Sequence, residues 1–141
     1  YQIQRYRSKL SGPLLDRIDI HVEAPRVDYQ MLTAASNKAE TSATIRARVE
    51  QAVQIQKARY PDEPIPFNAA VRASVLKKHV QLHKDARDLL RQSFDTLGLS
   101  ARSYDRILKV ARTIADLAGV EQVDFQHVAE AVQYRQLDKR V

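Results

Sequence analysis

The stretch Ser11–Glu23, SGPLLDRIDIHVE, constrains this chain more than any other. Ile18, Ile20 and Val22 alternate with Asp19, His21 and Glu23, the period-two pattern of a strand with one buried face. No other segment reads convincingly as a strand. A lone strand leaves its ladder donors and acceptors unpaired, and even two strands are marginal in water. The pattern therefore predicts a sheet whose other strands lie outside these 141 residues, and the chain reads as a fragment. In such a fragment the stretch is expected to be poorly protected, paired with a second copy, or folded against the bundle in a non-native way.

The remainder of the sequence is helical in pattern. Ser11-Gly12-Pro13 breaks a short helix compatible with Gln2–Leu10, and Leu14 and Leu15 form a brief apolar turn. From Arg26 to Glu40 the pattern is weak and loop-like. Thr41 or Ser42 can cap a long helix to about Tyr60, roughly 28 Å at 1.5 Å per residue, with Ile45, Val49, Ala52, Val53 and Gln56 on one face. Pro61, Pro64 and Pro66 make a stiff connector, the best internal boundary. Beyond it, Asn68 suits the cap of a short helical piece and Ala73–His79 a second.

Three further helices have clear signals. One runs from about His83 to Leu97 and stops at Gly98; one runs from Ala101 to about Ala118, capped by Ser100 and stopped by Gly119. The last, capped by Asp124, runs through Arg135 and buries Phe125, Val128, Ala129 and Val132. The fold class is accordingly mainly α: a helical bundle with one N-terminal strand. The expected division is 1–26, 27–66 and 67–141.

Composition excludes some functions. There are no cysteines, no apolar run near the ~20 residues of a membrane span, and no signal peptide, so a cytoplasmic protein is expected. A net charge of +6 favours polyanionic partners. The sequence has no Gly-rich phosphate loop with its Lys and Ser/Thr, no Cys nucleophile and no convincing acid/base pair. His79 and His83 stand four apart, a spacing that can put both on one helix face, but without the Glu of a zincin motif or a third ligand no metal site is expected.

Two arginines stand out by position. Arg17 precedes the strand, where a guanidinium held rigidly can meet a phosphate on a neighbouring molecule in bidentate fashion. On position alone the simpler reading is a surface arginine paired with Asp16 or Asp19. Arg102 lies in the first turn of the Ser100-capped helix, where the macrodipole disfavours a cation unless an anion meets it. A tolerated exposed arginine is the plainer alternative. Arg106 and Lys109 continue its face at i+4 and i+7. Together with Arg112 they make a candidate DNA or phosphate stripe, or simply a solvated face.

GPLLDRIDIHVEAPRV, with LSARSYDRILKVARTIADLAG and HVAEAVQYR far downstream, resembles the C-terminal part of Mg-chelatase-like AAA+ ATPases of the competence protein ComM (YifB) type. The resemblance implies that Arg17 is the arginine finger acting in trans on the next subunit's nucleotide and that Arg102 is sensor 2 of the lid. It implies that residues 1–26 end an α/β ATPase core, which accounts for the missing sheet, and that 67–141 form the lid. The Thr41–Tyr60 helix is similar to the extra helix these clades insert before sensor 2. Upstream, such a protein carries Walker A and Walker B, so ATP and Mg²⁺ are cofactors of the full-length protein and none is expected for the fragment. The resemblance further implies a hexameric ring, a DNA partner and branch migration or helicase action in transformation and recombination. Two alternatives remain: a Mg-chelatase ATPase subunit, and a stand-alone helical DNA-binding module using Arg102, Arg106, Lys109 and Arg112.

Overall fold

The computed structural model describes residue 5 and residues 11–26 and 39–135. The helix expected over Gln2–Leu10, apart from Arg5, and most of the loop expected over Arg26–Glu40 lie outside the described residues. The fold is mainly α, in six helices among the described residues: α1 (Gly12–Leu15), α2 (Ser42–Arg59), α3 (Ala73–His79), α4 (Lys84–Leu97), α5 (Ala101–Leu117) and α6 (Phe125–Gln133).

The helix boundaries follow local chemistry. Thr41 Oγ1 accepts from the Thr44 N–H at 3.2 Å to begin α2, and Ser100 Oγ accepts from the Ser103 N–H at 3.1 Å to begin α5. Gly98 ends α4 at φ 59°, its N–H donating to the Phe94 carbonyl, and Gly119 follows α5 at φ 71°. Before α6, His127 Nδ1 accepts from the Asp124 N–H at 3.0 Å, the returning half of a capping box.

The core lies where α6 packs against α4 and α5, with the C-terminal half of α2 on the other side of α5. Leu76, Leu90, Ile107, Leu108, Ala111, Ala115, Val123 and Val128 are buried in it. The larger of these side chains each stabilise the fold by about 1.5–3 kcal/mol. A parallel bridge between Leu82 and Val123 joins the α3–α4 and α5–α6 connections, with His83 N–H donating to the Val123 carbonyl at 3.0 Å.

Five local expectations are corrected. Ile18–Glu23 is not a strand: it is irregular backbone with a bend at Asp19 and forms no ladder, because the described residues offer it no neighbouring strand. Its alternating apolar face is uncovered, with Ile18 42%, Ile20 48% and Val22 74% exposed. In α2 only Ala52 and Gln56 of the expected stripe are buried; Ile45 and Val49, in the half that projects past the bundle, are exposed. Phe125, the first residue of α6, is exposed because it precedes the turn that meets the core. His79 ends α3 with its ring edge-on to Tyr60, while His83 caps α4, so the two share no helix face. Asn68 caps nothing; it sits fully buried in a turn at the centre of a polar network.

That network joins α2 to α5 across the proline connector. Asp116, whose side chain is wholly buried, accepts from both Arg59 terminal nitrogens, from Arg112 Nε at 3.1 Å and from Asn68 Nδ2 at 2.7 Å. Asn68 Oδ1 accepts from the Tyr60 hydroxyl at 2.9 Å, and the Asn68 N–H donates to Gln56 Oε1 at 2.9 Å. Bonding to Asp116 holds the Arg59 guanidinium above its ordinary pKa, and burial pushes the Tyr60 phenol up and Arg112 down.

Candidate functional site

The segment carrying Arg17 is strapped across the start of α5. After α1, Asp16 and Arg17 form a turn, with the Arg17 N–H donating to the Leu14 carbonyl at 3.0 Å. This turn presents the Asp16 carboxylate to α5: Ser100 Oγ donates to Oδ2 at 3.1 Å and Ser103 Oγ to Oδ1 at 2.8 Å. The carboxylate thus meets the positive end of the α5 macrodipole, where an anion is favoured. One turn further along α5, Arg106 pairs with Asp19.

Beneath the strap lies Arg135, with no exposed side-chain surface. Its guanidinium donates to the Ile18 carbonyl and to Ser103 Oγ at 3.1 Å, and stands 3.8 Å from Asp16. The strap ends where the His21 N–H donates to the Tyr134 carbonyl at 2.8 Å. Two carboxylates three residues apart therefore meet Ser100, Ser103 and Arg106, also three apart, along one face of α5.

This arrangement decides where the candidate residues stand. Asp16 and Asp19 are engaged by α5 and α6, so neither is the partner of Arg17. Arg17 and Arg102 are both exposed, and neither guanidinium has a hydrogen bond or ion pair among the described residues. Arg17 adjoins Asp16, and Arg102 lies between the two serines that hold Asp16, so the two cations flank one contact. Ser100 and Asp16 already satisfy the helix start, which leaves both guanidiniums available to an external anion.

The rest of the expected basic stripe does not stand free. Arg106 is partly buried against Asp19, and Lys109 donates to the Ala69 carbonyl at 2.8 Å. Burial, with Arg106 nearby, lowers the Lys109 pKa. Arg112 corrects the expectation most clearly: it is 1% exposed, and besides Asp116 it donates to the Val120 and Glu121 carbonyls. It closes the end of α5 from inside and cannot meet DNA or a phosphate from solvent.

Sequence reasoning missed two groups. The first is the set Asp16, Asp19, Ser103 and Arg135, whose pairings span 32 to 117 residues and leave no local signature. The second is a cleft of about 400 Å³ between α4 and α5, lined by Arg87, Arg91, Phe94, Tyr104 and Lys77. The Phe94 and Tyr104 rings meet edge to face at 6.1 Å there. The i, i+4 spacing of Arg87 and Arg91 on an amphipathic helix was the available signal. Among the described residues no group of three or more His, Cys, Asp or Glu could hold a metal ion, and no helix is long and apolar enough to cross a membrane.

The sequence that folds into this helical bundle has relatives among known proteins. Residues 39–135 match the family described as Magnesium chelatase, subunit ChlI C-terminal, and residues 1–32 match Magnesium chelatase, subunit ChlI. The chain belongs to this magnesium chelatase family, and its bundle corresponds to the family's helical C-terminal domain.

Within that family its similarity is to ComM/YifB proteins. It is 40% identical over 138 residues to the uncharacterized protein YifB of Salmonella typhimurium, covering 98% of this chain and 26% of the relative. It is 40% identical over 134 residues to competence protein ComM of Haemophilus influenzae, covering 95% and 26%. YifB of Escherichia coli is 36% identical over 138 residues, again 98% of this chain and 26% of the relative. The chain thus spans about a quarter of the length of the curated relatives it matches.

Proposed function

We propose that this chain is the arginine-finger and lid region of a ring-forming AAA+ ATPase of the ComM type, with Arg17 and Arg102 contacting nucleotide phosphates. The observation that carries the reading is that these two exposed guanidiniums lack partners among the described residues, although carboxylates adjoin Arg17 on the chain and meet the helix of Arg102. Arginines left free beside satisfied carboxylates suit bidentate contact with phosphate oxygens arriving from outside. The uncovered face of Ile18, Ile20 and Val22 further supports a sheet contributed by a longer protein.

ATP fits this chain only in part. The two arginines suit the phosphates, but the sequence has no phosphate loop and the described residues have no carboxylate cluster for Mg²⁺. ATP, when bound, would supply the transferable phosphoryl group. This chain's share is to place positive charge against it, which for an arginine finger is worth about 10³–10⁵ in rate once the remaining parts are in place. Arg17 serves the neighbouring subunit's nucleotide and Arg102 reports the phosphate to the lid. In the hexameric ring, turnover then changes how subunits sit on DNA, consistent with a competence role like that in the name of the Haemophilus relative. The proposed cellular setting is cytoplasmic.

In the longer ATPase that contains this chain, Arg17→Ala and Arg102→Ala should each abolish most ATP turnover without changing the melting temperature. Wild-type turnover by both would refute the reading. A DNA-binding module remains as a second reading because of the α4–α5 cleft, where two arginines and two rings suit a stacked base and its phosphates. Tight, steeply salt-dependent binding of single-stranded DNA by the 141-residue chain, lost in Arg87→Ala with Arg91→Ala, would favour it.

A further inference from the structure

The strap is more elaborate than a surface segment needs. Asp16 takes two hydroxyl donors from the first turn of α5, one of which is the helix cap itself. Arg135, from the end of α6, is fully buried and spends its donors on Ser103 Oγ and on the Ile18 carbonyl, with Asp16 3.8 Å away. Asp19 and Arg106 add an outer ion pair, and His21 adds a backbone bond to α6. Three elements distant in sequence therefore converge on the residues immediately beside Arg17 and Arg102.

We propose that Asp16 and Asp19 are positioning residues, which with Ser100, Ser103, Arg106 and Arg135 form a latch making the Arg17 turn and the Arg102 helix one rigid unit. The proposal rests on the ATPase reading above and adds its coupling device. An arginine on a long side chain is useful to a phosphate only when its backbone is fixed, since a misplacement of about 1 Å can cost a hundredfold in rate. Arg17 and Arg102 lie on different elements of the chain, and the latch is the contact by which movement of one is felt by the other. Through it, a phosphate drawn to Arg102 shifts the Arg17 turn, so the state of one nucleotide sets the finger offered to the next.

The latch also assigns Arg106 a role different from phosphate binding. Its guanidinium faces Asp19, on the strap, and reversal of the pair should preserve function, whereas a phosphate contact would be lost on Arg106→Asp whatever stands at position 19.

Two measurements test the proposal. In the 141-residue chain, amide hydrogen exchange at His21 should quicken in Asp16→Asn while buried amides of α5, such as that of Leu108, keep their rates. Asp16→Asn is used because, although it too removes the anion near buried Arg135, it keeps the side-chain volume and one acceptor oxygen, whereas Asp16→Ala leaves both the Ser100 and Ser103 hydroxyls without their acceptor and can unfold the end of α6. In the longer ATPase, Asp19→Arg and Arg106→Asp should each lower kcat about fivefold or more, the lower end of usual site-to-site coupling, with little change in KM for ATP or in melting temperature. The double reversal should return kcat to within about twofold of wild type, because the ion pair is re-formed.

Unchanged His21 exchange in Asp16→Asn overturns the latch. Wild-type turnover in both single reversals, while Arg17→Ala and Arg102→Ala are inactive, overturns the positioning role and leaves the ATPase reading standing. Failure of the double reversal to recover turnover overturns the role of the Asp19–Arg106 pair. Full turnover in Arg17→Ala and Arg102→Ala removes the ATPase reading and the positioning role with it.

Discussion

Replacing Asp116 by alanine should nearly unfold this bundle. The carboxylate has no exposed side-chain surface and is, among the described residues, the only anion bonded to Arg59, whose side chain is 13% exposed, and to Arg112, whose side chain is 1% exposed. Removing it leaves two largely buried guanidiniums without a counter-charge and Asn68 Nδ2 without one acceptor. Breaking a buried pair from one side costs about 3–5 kcal/mol, against a total of about 5–15 kcal/mol for a domain. At about 4–8 °C per kcal/mol for a domain of this size, the midpoint should fall by roughly 12–40 °C. Thermal and urea unfolding of the 141-residue chain, followed by circular dichroism, measures this directly. The double variant Asp116→Ala with Arg59→Ala should lose less than the sum of the single losses, since the second change removes one of the orphaned charges. An Asp116→Ala loss below about 1 kcal/mol would refute the claim that this carboxylate welds α2 to α5. As a contrast, Glu40→Gln, which breaks an exposed ion pair with Arg48, should leave the midpoint unchanged.

Two other outcomes follow from local geometry. Burial raises the Tyr60 pKa, so above about pH 10 the unfolded chain loses the Tyr60 proton while the folded chain keeps it, and stability falls as pH rises through that window. Tyr60→Phe should therefore cost about 1 kcal/mol at pH 7, through loss of the bond to Asn68, and should lose less than wild type between about pH 9.5 and 11 in urea titrations. Gly98→Ala should cost about 1 kcal/mol or slightly more; beyond the adjoining residues nothing lies within 4 Å of the new methyl, so the cost is backbone strain at φ 59° alone.

The helices were legible because their stop and start signals are local. Ser100, Gly98 and Gly119 act within one turn of themselves, and α4, α5 and α6 begin and end within a residue or two of where those residues put them. The alternation in Ile18–Val22 records which side chains favour burial, not where the covering surface lies, and among the described residues that face is bare. Arg112 misled for a related reason: basic spacing along a helix reads the same for a solvated stripe and for an internal clamp. The distinguishing sign was Asp116, one turn on and on the apolar side, beside Ile107, Ala111 and Ala115. Arg17 and Arg102 drew notice by position, but their freedom from partners depends on Asp16 and Asp19 turning to α5, across 84 and 87 residues.

The central claim is that Arg17 completes a phosphate site in a neighbouring subunit of the longer ATPase. Mixing two inactive versions of that protein tests it most directly: one carrying Arg17→Ala, the other with its own phosphate loop disabled. If Arg17 acts across the boundary, mixed rings contain some interfaces with an intact loop facing an intact Arg17, and turnover should rise well above that of either variant alone. Turnover of the mixture that never exceeds the average of its two components would contradict the account.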